Sequence, residues 1–238
     1  MKKIYFLVIF LISALTNAAI IDSFFEKSDK FFKTYVTDGR VEYESLKYNS
    51  DLLNETLEIA ATMDISSLDI NHYKAFWINT YNLLVIKGIL NNYPMKSVQD
   101  IKGFFDNKTY MVANQEMNLK FIEKNMLRKV MKNPLLNFVL VCAANGCPPL
   151  INKAYMPEYI DDQLDSQTKI SINNPNFIRI NDNNKTVEVS EIFDWYKDDF
   201  LDNNARIIDF INKYRKEKID ESYKVIFYKY DWSLNAVK

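Results

Sequence analysis

The sequence predicts an α+β fold: a helix-rich single domain carrying a small, largely antiparallel sheet. Three observations carry that expectation. Residues 70 to 94, INHYKAFWINTYNLLVIKGILNNYP, repeat apolar side chains at three- and four-residue spacing. Two later stretches alternate about polar turns in the manner of hairpins. Glycine is scarce, at four residues, while aromatics make up 14% of the chain. That balance suits an ordered, helix-rich globule better than a flexible or disordered chain.

The first residues, MKKIYFLVIFLISALTNAAI, have the anatomy of a secretory signal peptide, expected over residues 1–18. Lys2 and Lys3 form its basic start, Ile4 to Leu15 its apolar stretch, and Thr16-Asn17-Ala18 its small-residue cleavage site. An apolar run of about a dozen residues is too short for a permanent membrane helix. No cysteine follows it to accept a lipid. Residues 19–238 are therefore expected to form one globular domain, periplasmic or secreted, with no transmembrane anchor once the leader is removed. The formal net charge of -1 supplies no electrostatic footprint for nucleic acid or an anionic membrane surface.

Residues 22 to 35 predict a helix, with Phe24, Phe25, Phe31, Phe32 and Tyr35 as its apolar contacts. TDGRVEY around Gly39 predicts a turn into a short extended piece. Residues 50 to 63 form a second amphipathic helix. In the strongest helix, 70 to 94, Asp69 or Asn71 can cap the start and Pro94 lies beyond the end. Phe76, Leu83, Ile86 and Leu90 share one face, and Trp77, Tyr81, Leu84 and Gly88 a neighbouring one, so this helix should be central and buried.

Burial makes Asn79 and Asn82 informative. Three residues apart, they point the same way, and a buried amide without partners costs about 1–3 kcal/mol. They either tie the helix to loop backbone, with the cysteine loop a natural target, or form a polar wall of a ligand site. TYMVANQEMNL then predicts a hairpin turning near Ala113-Asn114-Gln115. A helix from Leu119 to Met131 follows, carrying Glu123. Phe138 to Cys142, almost purely apolar, is expected as a short buried strand. Pro157 can open a helix running to about Ile172. NFIRINDNNKTVEVS reads as a second hairpin about Asn181 to Asn184. Ser190 is placed to cap a helix through Phe200, another runs from Asn203 to Lys216, and Lys224 to Lys229 is the last strand.

The only two cysteines, Cys142 and Cys147, lie together in FVLVCAANGCPPL. Five residues apart, they can close a ring through Asn145-Gly146, be two inert thiols, or supply one reactive thiol. In an oxidising compartment paired thiols tend towards a disulfide, and a Cα separation beyond about 7 Å would forbid it. A reactive thiol needs a base. The chain has one histidine, His72, at the start of the long helix. Cys147, beside Gly146, is then the better nucleophile, with His72 as its candidate base. Asn79, Asn82, Glu123 and Asn145 are the candidate binding residues. Two cysteines and one histidine lack the spacing and number of a closed zinc site, so no metal site is expected. Trp195, Tyr196, Asp231 and Trp232 can line a sugar- or peptide-binding cleft but read more simply as core. The adjacent acids Asp198-Asp199 and Asp161-Asp162 diverge on a helix and make poor catalytic pairs.

Several of these stretches together resemble the domain-of-unknown-function 547 (DUF547) family: DGRVEYESLK at 38–47, AFWINTYNLLVIKGIL at 75–90, YPMKSVQDI at 93–101 and LVCAANGCPPL at 140–150. IFDWYKDDF at 192–200 and YDWSLN at 230–235 continue the likeness in the same order. The resemblance implies a family that includes exported bacterial proteins and has no settled activity; no cofactor is expected. The expected partner is an envelope component or a small ligand. The cysteine-proline loop is reminiscent of papain- and transglutaminase-like enzymes, an analogy at fold level. Two departures weigh against catalysis: Lys124 and Asn137 stand where many members carry histidine. The expectation is accordingly a structural or binding module of the cell envelope, with a thiol-dependent hydrolase or acyltransferase using Cys147 as the alternative.

Overall fold

The computed structural model describes residues 2–201 and 206–237, with side chains described from residue 18 onward. Of the leader expected over residues 1–18, only Ala18 has a described side chain. From the N-terminus, α1 (Lys2–Tyr35) leads to a miniature hairpin, β1 (Val36–Thr37) and β2 (Arg40–Val41). Then come α2 (Tyr43–Tyr48), α3 (Asp51–Thr62) and α4 (Ile70–Leu90). A hairpin of β3 (Thr109–Val112) and β4 (Gln115–Asn118) precedes a continuous helical run: α5 (Leu119–Phe121), a π-helical segment (Ile122–Arg128) and α6 (Lys129–Met131). Beyond the cysteine loop lie α7 (Ile160–Ile172), β5 (Ile178–Asn181), β6 (Thr186–Ser190), α8 (Ile192–Trp195), α9 (Lys197–Phe200), α10 (Ile207–Tyr214) and β7 (Lys224–Tyr228). The α+β class holds.

Asp69 starts α4 by accepting hydrogen bonds from the Asn71 and His72 backbone N–H groups, both at 2.9 Å. That cap satisfies two of the donors a helix N-terminus leaves orphaned. Every residue from Ala75 to Ile86 is buried. Phe24, Phe31 and Phe32 of α1 and Leu53 of α3 belong to the same core. A helix apolar around its whole circumference has nowhere to sit but the middle.

Both expected hairpins form. Ala113 and Asn114 turn β3 into β4 with φ of 49° and 60°, the left-handed pair that a two-residue hairpin turn demands. β5 and β6 pair antiparallel from Ile178↔Val189 to Asn181↔Thr186. β7 then adds to β6 in parallel. Parallel neighbours need a long crossover, and α8, α9 and α10 supply it. A second core gathers under this sheet, with Phe138 at its centre. Its ring lies 6.0–6.2 Å from those of Phe177, Phe193, Phe200 and Phe210. The helix expected from Asn203 runs as α10, capped by Arg206 N–H donating to Asp209; residues 202–205 lie outside the described set.

One expectation needs correction. Phe138 to Cys142 is not a strand: a 3₁₀ turn (Pro134–Phe138) ends there and the chain continues irregularly. The reason is Asn82, whose Nδ2 donates to the Val139 carbonyl at 2.9 Å while its Oδ1 accepts from the Val141 N–H at 3.0 Å. Buried backbone must be paired, and a side chain from α4 does here what a neighbouring strand would otherwise do.

The C-terminal segment closes the molecule. Asn235 O accepts from Val41 N–H, Asn235 N–H donates to Ala143 O, Leu234 N–H donates to Lys96 O, and Ser233 O accepts from Asn145 N–H, at 2.8–3.1 Å. A few residues thus bind β2, the turn after α4 and the cysteine loop. Among the described residues no helix is long and apolar enough to cross a membrane.

Candidate functional site

The cysteine loop is fixed from two sides. From below, Asn82 holds Val139 and Val141, and Asn79 makes the same two-point contact with Tyr155, donating to its carbonyl at 2.8 Å and accepting from its N–H at 2.9 Å. Both amides are 0% exposed. Their polar atoms are spent on backbone, so they support the loops and present nothing to a ligand. From above, Gly146 N–H donates to the Asp231 carbonyl at 2.8 Å. A Cβ on Gly146 would stand 2.9 Å from both Asp231 N and the Tyr230 ring, so only glycine permits this approach.

Within the loop Cys142 and Cys147 are joined by a disulfide, with Cα atoms 6.4 Å apart, inside the bridging range. The Cys142 N–H also points at the Cys147 sulfur, at 3.0 Å. The Tyr230 hydroxyl lies 2.8 Å from Cys142 Sγ and 3.0 Å from Cys147 Sγ. Burial pushes that phenol far above its ordinary pKa, so it stays protonated and neutral against the sulfurs.

Beside the bridge opens a cavity of about 210 Å³. Its polar end is built around Arg128. The guanidinium donates from Nε to Glu123 Oε1 at 2.7 Å, from Nη1 to Asp199 Oδ2 at 2.6 Å and from Nη2 to Asn137 Oδ1 at 2.7 Å. Asn137 Nδ2 donates in turn to Asp199 at 2.9 Å, and the Tyr196 hydroxyl donates to Glu123 at 3.0 Å. The Tyr196 ring lies 4.0 Å under the guanidinium carbon, a cation–π contact. Burial works against the Arg128 charge, but Glu123, Tyr196 and Asp199 outweigh it and hold the pKa above its ordinary value. Burial first, and then the Glu123 carboxylate, push Tyr196 up to about 12. One guanidinium facing two carboxylates leaves this end with a single negative charge.

The π-helical segment makes the Glu123–Arg128 contact possible. In an α-helix, residues five apart lie about 140° apart around the axis. The wider π turn, closed by i→i+5 hydrogen bonds, brings them onto one side, and such segments are frequent at functional sites.

The other end is aromatic. Trp195 stacks on Trp232 with centroids 5.7 Å apart and planes 23° apart. Tyr230 packs against both, at 4.9 and 4.7 Å. Trp195 remains 46% exposed, so part of its face is open to solvent at the cavity rim.

Of the residues singled out in the sequence, Cys142, Cys147, Glu123, Trp195, Tyr196 and Trp232 come together at this cavity. His72 does not join them. Its Nδ1 pairs with Asp69 Oδ2 at 2.9 Å and its ring packs 6.0 Å from Phe25, at the far start of α4. Asn145 is turned to the opposite side of the loop, donating to Ser233 Oγ at 2.9 Å and Leu234 O at 3.2 Å. The positions where many DUF547 members carry histidine diverge: Lys124 is exposed, whereas Asn137 sits inside the Arg128 cluster. Sequence reasoning missed Arg128 and Tyr230, set Asp199 aside as a poor catalytic acid, and preferred core to cleft for Trp195 and Trp232. The motifs FDWYKDDF and YDWSLN, which hold four of these five, were the available signal. Among the described residues no group of three or more histidine, cysteine, aspartate or glutamate side chains is arranged to hold a metal ion.

A family model described as "Protein of unknown function, DUF547" matches residues 65–170. The stretch spans α4, the π-helical segment, the cysteine loop and most of α7, and stops short of α8 and the Tyr230–Trp232 segment. The resemblance read from the motifs holds there: residues 65–170 match the DUF547 family. No curated protein and no solved structure matches the chain, so the papain- and transglutaminase-like analogy has no counterpart among them.

Proposed function

We propose that this DUF547-family chain is an exported binding module of the cell envelope that takes a small ligand in the cavity beside the Cys142–Cys147 bridge. One observation carries the reading: an indole face left 46% exposed at the rim of a cavity whose sulfurs and charged groups are already paired with one another. A flat aromatic face beside a ring of hydrogen-bonding groups suits a sugar ring or the planar groups of a short peptide. The signal-like first residues and the bridged cysteines support export.

Trp195 and Trp232 make the test direct. Titration with N-acetylglucosamine oligomers and, separately, with short peptides should change tryptophan fluorescence saturably, and Trp195→Ala should remove the response. No saturable change with either class at millimolar concentration sinks the reading. Mass spectrometry of the periplasmic and secreted fractions, before and after alkylation, tests leader removal and cysteine state together.

A second reading, a thiol-dependent hydrolase or acyltransferase with Cys147 as nucleophile, draws on two donors. Cys142 N–H and Tyr230 O–H both face the Cys147 sulfur and would stabilise a thiolate there after reduction. No histidine is at hand to serve as base. Stoichiometric iodoacetamide labelling of Cys147 after mild reduction, accompanied by ester turnover lost in Cys147→Ala, would establish it. Labelling without turnover leaves the binding module.

A further inference from the structure

The opposite side of the cysteine loop carries a second and larger cleft, of about 850 Å³. Five parts of the chain converge on it: the β1–β2 turn, the turn after α4, the cysteine loop, the approach to β5, and the segment from Tyr228 to the C-terminal strap. Each of four of them brings a cation. Arg40 comes from the first hairpin, Lys96 from the turn after α4, Arg179 from β5 and Lys229 from the end of β7. Two acids, Asp38 and Asp231, stand against them. Asp231 is already engaged, accepting from Ser233 N–H at 2.9 Å and Ser233 O–H at 2.5 Å. The cleft is thus net positive on a chain whose formal charge is -1.

Arg179 is held ready. Its guanidinium carbon lies 4.0 Å over the Tyr228 ring and its Nε donates to the Asn176 carbonyl at 3.2 Å. Its carboxylate neighbour among the described residues, Glu188, stands at 3.8 Å with both side chains at least 39% exposed, a loose pair of little energetic weight. Arg40, Lys96 and Lys229 have no side-chain hydrogen bond or salt bridge among the described residues. Asp231 interacts electrostatically with Arg40 across the cleft, but four cations from separate elements against two lining acids still concentrate a positive field there. An arginine stacked on an aromatic ring is set for planar, two-pronged recognition of an oxyanion.

We infer that this cleft is a second ligand site, distinct from the aromatic cavity, and that it binds multiply charged anions bearing carboxylate or phosphate groups. The site stands whether or not the aromatic cavity binds a sugar or peptide.

Calorimetric titration of the full chain with tripolyphosphate in one arm and citrate in the other tests it. Saturable binding is expected in at least one arm, weakening steeply as salt is raised. The arm that binds tighter identifies the anion class. Arg40→Glu/Arg179→Glu should weaken that binding at least tenfold, while Lys129→Glu/Lys153→Glu, the same charge change outside the cleft, should leave it within twofold. If the first pair fails to fold, the charge-neutralising Lys96→Gln/Lys229→Gln should still weaken binding about threefold. No saturable heat in either arm, or equal losses in the cleft and control variants, overturns the inference.

Discussion

Two sets of polar side chains, one buried and one half-buried, lie close together and do opposite things. Asn79 and Asn82 on α4 are fully enclosed and spend both ends of their amides on backbone. The Arg128 cluster spends itself almost wholly on other side chains and stays partly reachable, with Arg128 19%, Glu123 17% and Asp199 34% exposed. The first set replaces missing secondary structure. The second keeps charge at the mouth of a cavity at the expense of some stability, since desolvating charges is costly even when they are paired. Side chains that satisfy backbone are there to build; side chains that satisfy one another beside open space are there to be used.

The sharpest way to break that contrast is Asn82→Leu. It strands the Val139 carbonyl and the Val141 N–H in the core, and two unpaired buried groups should lower stability by about 3 kcal/mol, or roughly 6–12 °C in Tm. A loss below about 1 kcal/mol in urea titration would show that the loop does not depend on α4. Next comes the bridge. Reduction, or Cys142→Ser/Cys147→Ser, opens a six-residue ring and should cost roughly 2 kcal/mol by the chain-entropy relation, read as a fall in the denaturation midpoint. Arg128→Met should cost less, about 1–2 kcal/mol, because the released carboxylates are partly solvated. It should nevertheless abolish the fluorescence response to any ligand, which separates use from support.

A pH scan sharpens the same point more gently. Tyr196 titrates near 10 when unfolded and at about 12 in the fold. The protonated phenol's contribution is therefore complete below pH 10 and lost as pH climbs to about 12. Tyr196→Phe should shrink the fall in unfolding free energy between pH 9 and pH 11. The smallest effect belongs to Trp195→Ala, expected within about 0.5 kcal/mol because the residue is so exposed.

The scaffold was more legible in the sequence than the site. α4 announced itself because its cap, its apolar periodicity and its length agree. The β3–β4 turn did so because Ala113-Asn114 sits between alternating strands. Asn79 and Asn82 were suspect as soon as the helix was seen to be buried, and backbone support was one of the two roles open to them. Phe138–Cys142 misled because an apolar run has the composition of a buried strand, and nothing local reveals that an asparagine 57 residues upstream of Val139 provides the pairing. Arg128 was invisible for a related reason. Its partner Glu123 is five residues away, a spacing that makes a contact only in a π turn, and Asp199 lies 71 residues further along. Trp195 and Trp232 stayed divided between cleft and core because aromatic composition says nothing of which ring is left uncovered.

The strap formed by residues 233–237 has a consequence for how the molecule opens. Its hydrogen bonds join the first hairpin, the turn after α4 and the cysteine loop, so prising it away loosens three sequence-distant stretches at once. A clasp of that kind turns what would be three separate local yieldings into one cooperative event.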